Sequence, residues 1–224
     1  MKTVNWDDIM SSLDAWRDSF PHDTNGEPSV TTVAERYAHD PWSVLVSTII
    51  SLRTKDDVTL RSSNNLLERA PTPEFYLTLS QEEAEKLIFP AGFYRTKACN
   101  LRKIAGILVN KYDGDVPADF DALLSMPGVG RKTANLVMIE AFDLDGICVD
   151  THVHRISNRA GWLAAKTPED TEMKLRKILP RKYWKRINAL LVLYGQRLCR
   201  PISPYCSICV ISKNCEKINV TKTR

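Results

Sequence analysis

A chain of 224 residues, 43% of them hydrophobic, is globular and long enough for one large domain or two small lobes with a sizeable core. Its 31 basic against 27 acidic side chains leave a formal charge of only +4, so polyanion binding has to be argued from clustering rather than from totals. No apolar run reaches membrane-spanning length and residues 1 to 8 lack the apolar centre of a secretory signal, so a soluble, intracellular protein is expected.

The first expected helix is capped by Asn5, carries Asp7 and Asp8 in its opening turn, places Ile9, Leu13, Trp16 and Phe20 on one face, and stops at Pro21. Residues 22 to 28 hold the best linker candidate, with a lobe boundary near it. Asp40-Pro41 opens a helix whose Trp42, Val44, Leu45, Val46, Ile49 and Ile50 are apolar nearly all round, as a central buried helix requires. It ends near residues 51 to 56, where Thr54 and Asp57 read as a capping pair for the next helix. Ser80 and Glu83 form a capping box. Pro90 and Gly92 then break the chain before a long helix from Tyr94 towards Tyr112, with Phe93 at the turn.

Leu123, Leu124 and Met126 precede Pro127-Gly-Val-Gly130, and Ala134, Leu136, Val137 and Ala141 follow at helical spacing, which predicts helix, hairpin, helix. Gly128 and Gly130 suit a tight break and leave no side chain in the way of an approaching partner, so amides at the second helix's start form a nest for phosphate. On these four residues alone a purely structural turn is an equally good reading. Lys132 falls in the first turn of that second helix, where the positive end of the dipole favours a neutral, nucleophilic amine. Eighteen positions on, Asp150 opens a further helix, either as its cap or as an acid paired with Lys132. His152 and His154, two apart on a helix, fit capping and packing better than a metal.

Thr167 and Pro168 open a helix with Lys174, Arg176 and Lys177, and Arg181, Lys182, Lys185 and Arg186 continue the basic run beside a buried face. Cys199, Cys206, Cys209 and Cys215 crowd into one loop, whereas Cys99 and Cys148 lie alone in apolar helical contexts, a usage suited to a reducing compartment with one metal site. Four thiolates hold zinc or an iron-sulfur cluster, and only Cys206 and Cys209 form the close pair that structural zinc uses twice. With no sustained period-two alternation, the fold is expected to be all-α.

Met126-Pro-Gly-Val-Gly-Arg-Lys-Thr-Ala-Asn135, Val149-Asp-Thr-His-Val-His-Arg155, Ala91-Gly-Phe-Tyr-Arg-Thr-Lys-Ala98 and the cysteine spacing together resemble the endonuclease III family of helix-hairpin-helix DNA glycosylases, over residues 41 to 215. The resemblance implies two lobes flanking an active cleft. One is a helical barrel of residues 34 to 144 bearing the hairpin at about 120 to 142. The other is a discontinuous lobe of 1 to 33 and 145 to 224 with a 4Fe-4S cluster on Cys199, Cys206, Cys209 and Cys215.

It further implies a monomeric DNA glycosylase and abasic-site lyase that acts in cytoplasm or nucleus on damaged double-stranded DNA, away from membranes. Such an enzyme excises oxidised pyrimidines and cuts the strand by β-elimination. Lys132 and Asp150 would be catalytic, while Gly128, Val129, Gly130, Arg131, Arg53, Phe93 and Arg200 would contact DNA. Phe93 stands where the family inserts an apolar side chain into the base stack, although a half-buried staple is the other reading. Leu52 and Arg53 replace the family's gap-filling glutamine. Arg200 is the one basic residue between the first two cysteines. Rival readings are a monofunctional mismatch or adenine glycosylase and a non-catalytic DNA-binding module, and Lys132 argues against both.

Overall fold

The computed structural model describes residues 4–20 and 28–224. Among them the regular elements are all helical, as expected. Two compact units divide the chain: residues 28–144 form one, and residues 1–27 with 145–224 the other. Pro21 as a helix stop and all of the suggested linker except Pro28 lie outside the described residues.

Helix α1 (Trp6–Asp18) begins the discontinuous unit, with Asn5 accepting from the Asp8 amide as its cap. The continuous unit starts at α2 (Ser29–Arg36), which packs on α3 (Pro41–Ser51) and α4 (Asp56–Arg69). Those contacts draw residues 28 to 33 into this unit, ahead of the start at about 34 that the resemblance implied. Asp40 accepts from the Ser43 amide at 2.8 Å and Pro41 presets the first turn, so α3 starts sharply. Trp42 through Ile50 are all buried, because α2, α4, α7 (Tyr94–Lys111) and α9 (Arg131–Phe142) cover α3 on every side. Each aliphatic side chain so buried contributes about 1.5–3 kcal/mol. Around this axis α5 (Pro73–Thr78) packs on α7, and α6 (Gln81–Ile88), opened by the Ser80–Glu83 capping box, packs on α4 and α7. The short α8 (Phe120–Leu124) leads into the hairpin before α9.

In the discontinuous unit, α10 (Thr151–Arg159), α11 (Pro168–Ile178) and α12 (Ile187–Arg197) surround one core with α1. Trp6, Ile9, Met10 and Leu13 of α1 enter it, and Trp6 meets Trp162 edge-on at 5.0 Å. Gly195 lets α12 approach α10 closely, since a Cβ there would lie 2.3 Å from His152 Nδ1. Much of the basic run proves to be paired. Lys174 bonds Asp170 at 2.8 Å, Arg176 bonds the buried Glu172 at 3.0 Å, and Arg181, Lys182 and Arg186 pair with Asp145, Asp7 and Asp14. Those five cations face acids within their own unit. Cys148 is buried in the extended segment before α10 and Cys99 is exposed on α7, so neither occupies the apolar helical setting expected of it.

Candidate functional site

The hairpin turns on Gly128, at φ +80°, a region that L side chains avoid. A Cβ at Gly128 would lie 2.5 Å from Asn100 Nδ2, so the turn also packs directly against α7. Gly130 differs from expectation: its φ is −100°, it caps α9 in extended backbone, and a Cβ there would meet nothing within 4 Å. Its role is therefore the open space on its outer side. Val129 does not face outward either, because its side chain is buried and its amide donates to Met126 O at 3.1 Å. The first helical bond of α9 runs from Ala134 N to Gly130 O, which leaves residues 130 to 133 as the open first turn whose amides lack intrahelical acceptors. Lys132 lies in that turn, half-buried, and the Arg131 guanidinium stacks 4.8 Å over the Phe120 ring.

Asp150 is the N-cap of α10. Its Oδ1 accepts from both the His152 and Val153 amides, at 2.8 and 2.9 Å, and no further hydrogen bond to the carboxylate occurs among the described residues. One oxygen thus holds the helix while the other is not used by the cap. The histidines pack: His154 Nδ1 bonds Thr171 Oγ1 at 2.7 Å, and His152 Nδ1 meets Arg155 at 3.0 Å. Lys132 belongs to the unit of residues 28–144 and Asp150 to the other.

The far end of α10 grips the cysteine loop. Arg155 donates to Gly195 O and Cys199 O, and Arg159 donates to Cys199 Sγ at 3.3 Å, Arg200 O at 2.7 Å and Pro201 O at 2.9 Å. On the loop's return, Glu216 N and Ile218 N donate to Ala160 O and Arg159 O. All four cysteines line one cavity together with Tyr194, Ile156 and Arg159. Burial pushes the Cys206 and Cys215 thiols up, with neighbouring thiols adding to the shift. Four cysteine sulfurs around a common space are a donor set that suits a cationic thiophilic group. Among the described residues no group of three or more His, Cys, Asp or Glu is gathered so as to hold a single ion. Tyr194 shares a 2.7 Å hydrogen bond with Cys209 Sγ, and burial raises the phenol's pKa so that it stays protonated. Arg200 is exposed, its guanidinium 5.4 Å from the Tyr205 ring.

Arg53 and Phe93 come together in the continuous unit. Both hold left-handed backbone, at φ +54° and +56°, both are exposed, Phe93 by 62%, and the guanidinium lies 5.5 Å over the ring. This exposure removes the half-buried staple reading of Phe93. Thr54 does not cap α4, whose N-cap is Lys55 with no side-chain bond. Its hydroxyl instead accepts from Gly92 N at 3.1 Å and from Lys97 Nζ at 2.8 Å. Lys97, Arg155, Arg159 and Tyr194 escaped sequence reading. Lys97 left one signal, a lysine on the same helical face as Leu101, Ile104 and Leu108, all buried.

A profile for the HhH-GPD superfamily of base excision DNA repair proteins matches residues 46–181. The chain is 46% identical to endonuclease III of Thermotoga maritima, over 79% of this chain and 83% of that protein. It is 42% identical to the bovine endonuclease III-like protein 1, over 82% of this chain and 60% of that longer protein. The solved structure of a trapped endonuclease III–DNA covalent intermediate superposes with a TM-score of 0.80 at 32% identity, covering 96% of this chain and 97% of the other.

Proposed function

Because the chain belongs to the endonuclease III family of HhH-GPD base excision DNA repair enzymes, DNA glycosylases with abasic-site lyase activity, we propose that it excises oxidised pyrimidines with Lys132 as nucleophile and Asp150 as its acid partner. The lesion nucleotide is turned out of the duplex. The Lys132 amine attacks C1′ of its sugar as the base leaves with the bonding electrons and takes up a proton; the attacking nitrogen gives up one proton, the C1′–O4′ bond then breaks with O4′ taking a proton, and nitrogen and C1′ become joined as a protonated imine. Asp150 stabilises positive charge developing on the sugar and carries protons to and from the amine. Loss of a C2′ proton then expels the 3′ phosphate, which cuts the strand.

Gly128, Gly130 and Arg131 hold backbone phosphate around the open first turn of α9 without reading sequence, while Val129 only shapes the hairpin. Phe93 with Arg53 enters the base stack, and Arg200 adds a phosphate contact. Cys199, Cys206, Cys209 and Cys215 would hold a 4Fe-4S cluster, which supplies a cross-link between α12 and the C-terminal loop and offers no open ligand position for chemistry. The enzyme works as a monomer inside the cell, where its duplex substrate is. No described helix is long and apolar enough to cross a membrane.

The observation that carries the reading is the place of Lys132, a lysine in the open first turn of the hairpin's second helix in a chain of this family. Borohydride reduction tests it. Wild type incubated with abasic or thymine-glycol duplex should form a covalent protein–DNA adduct, and Lys132→Ala should form none. Base excision without trapping or strand cleavage would make the protein a monofunctional glycosylase. Duplex binding without excision would make it a binding module.

A further inference from the structure

Lys97 is the buried lysine that the chemistry above does not use. Its side chain is only 5% exposed, and its Nζ donates to Ile50 O at 2.7 Å, Leu52 O at 2.6 Å and Thr54 Oγ1 at 2.8 Å. Three acceptors at bonding distance consume all three hydrogens of an ammonium, so they favour the charged form, whereas burial alone pushes the pKa down to about 8. A buried cation persists only when it is so satisfied, and a leucine or methionine would fill the same space at lower cost. The position therefore calls for a role beyond packing.

The acceptors straddle Arg53. Ile50 O and Leu52 O are carbonyls at the end of α3, which a helix leaves without partners and which carry the negative end of its dipole. Arg53 follows in left-handed backbone, a conformation that glycine or asparagine usually occupies after a helix end. On the other side, the Lys97 amide donates to Phe93 O at 3.1 Å, one turn back along α7, and Phe93 is left-handed as well. Gly92 completes the junction: its amide bonds Thr54 Oγ1, and a Cβ there would lie 2.4 Å from Arg53 O. One residue thus ties the two strained backbones whose side chains stack in solvent, and strain of this kind persists only where surrounding bonds over-determine it.

We propose that Lys97 is a positioning residue that presets Arg53 and Phe93 as a single rigid unit for entry into the base stack. The inference rests on the proposed DNA reading. An exposed aromatic pays to order itself on binding, and preorganising it removes that cost from the affinity. Lys97 acts through the pair, so its effect on lesion binding should vanish when the pair is already broken.

Full-length protein is titrated with duplex containing a tetrahydrofuran abasic analogue, with 2-aminopurine opposite it as a reporter of unstacking. Phe93→Ala should weaken binding by at least about fivefold, since a stacked aromatic is worth about that much or more. Lys97→Met should cause a comparable loss and suppress the 2-aminopurine signal, while Lys97→Met with Phe93→Ala should bind within about twofold of Phe93→Ala alone. A Lys97→Met protein that binds and unstacks like wild type, or losses that multiply in the double variant, would overturn the proposal. Should Lys97→Met fail to fold, Thr54→Val removes one acceptor and carries the same cycle, with a smaller loss expected that disappears in the Phe93→Ala background. If wild type does not prefer the abasic analogue over intact duplex, the DNA reading has failed and not the clasp.

Discussion

Two glycines two residues apart serve opposite ends, and substitution should separate them. Gly128→Ala forces a Cβ into left-handed backbone and against Asn100, so a loss of about 1–2 kcal/mol in denaturant unfolding is expected. Gly130→Asp puts a good N-cap at a helix start with open space around it, so stability should hold or rise, while affinity for every duplex, damaged or not, should fall through repulsion of phosphate. A binding loss confined to one lesion would contradict the phosphate role. Asp150 allows a similar separation. Asparagine caps as well as aspartate, so Asp150→Asn should melt within about 1 kcal/mol of wild type while base release in single-turnover assays slows by roughly 100-fold or more. At this scale the sequence was informative wherever a residue type is rare for its place, as with Lys132 at a helix start. It misled at Thr54, where a capping pattern with local logic was overridden by donors 38 and 43 residues away. Partners that distant in the chain leave no mark in spacing.

Among the elements, α10 carries Asp150, the proposed acid, as its N-cap, while Arg155 and Arg159 further along it grip the cysteine loop. Purified protein should be yellow-brown with about four irons per chain. Cys206→Ser should lower both iron content and melting temperature, because ligation at such a site is also folding energy. A colourless protein with stoichiometric zinc, or unchanged melting, would contradict that account. Gly195→Ala tests the packing beneath it. The added methyl would meet His152 and Arg155, at 2.3 and 2.8 Å, so α12 and α10 must separate at a cost of about 1–3 kcal/mol. Iron should also be retained less well after mild oxidation, since Arg155 holds the loop at Cys199. The glycine looked unremarkable in sequence, because helix-to-helix distance is a property of two segments at once.

Over the whole molecule, the longer helices and the caps at Asn5, Asp40, Ser80 and Thr167 were legible, because caps and apolar stripes are local. Ser29–Arg36 and Pro73–Thr78 are short helices that packing stabilises more than their own sequence does, and sequence reading passed over both. The charge balance was legible as a total, yet not its pairing, which spans Asp7 to Lys182 and Asp14 to Arg186. Those long reaches bear on how the chain is made. Tyr183 bonds Asp7 across 176 intervening steps of sequence, and Asn214 bonds Asp8 across 206. On the ribosome, α1 emerges before the continuous unit, with Ile9, Met10 and Leu13 uncovered until their partners beyond residue 144 are translated. The discontinuous unit therefore closes late, when the four thiols have been synthesised and can be loaded. If the four cysteines hold the proposed iron-sulfur cluster, a shortage of iron in the cell should be felt as a defect of maturation, with newly made chains exposed to chaperones and proteases.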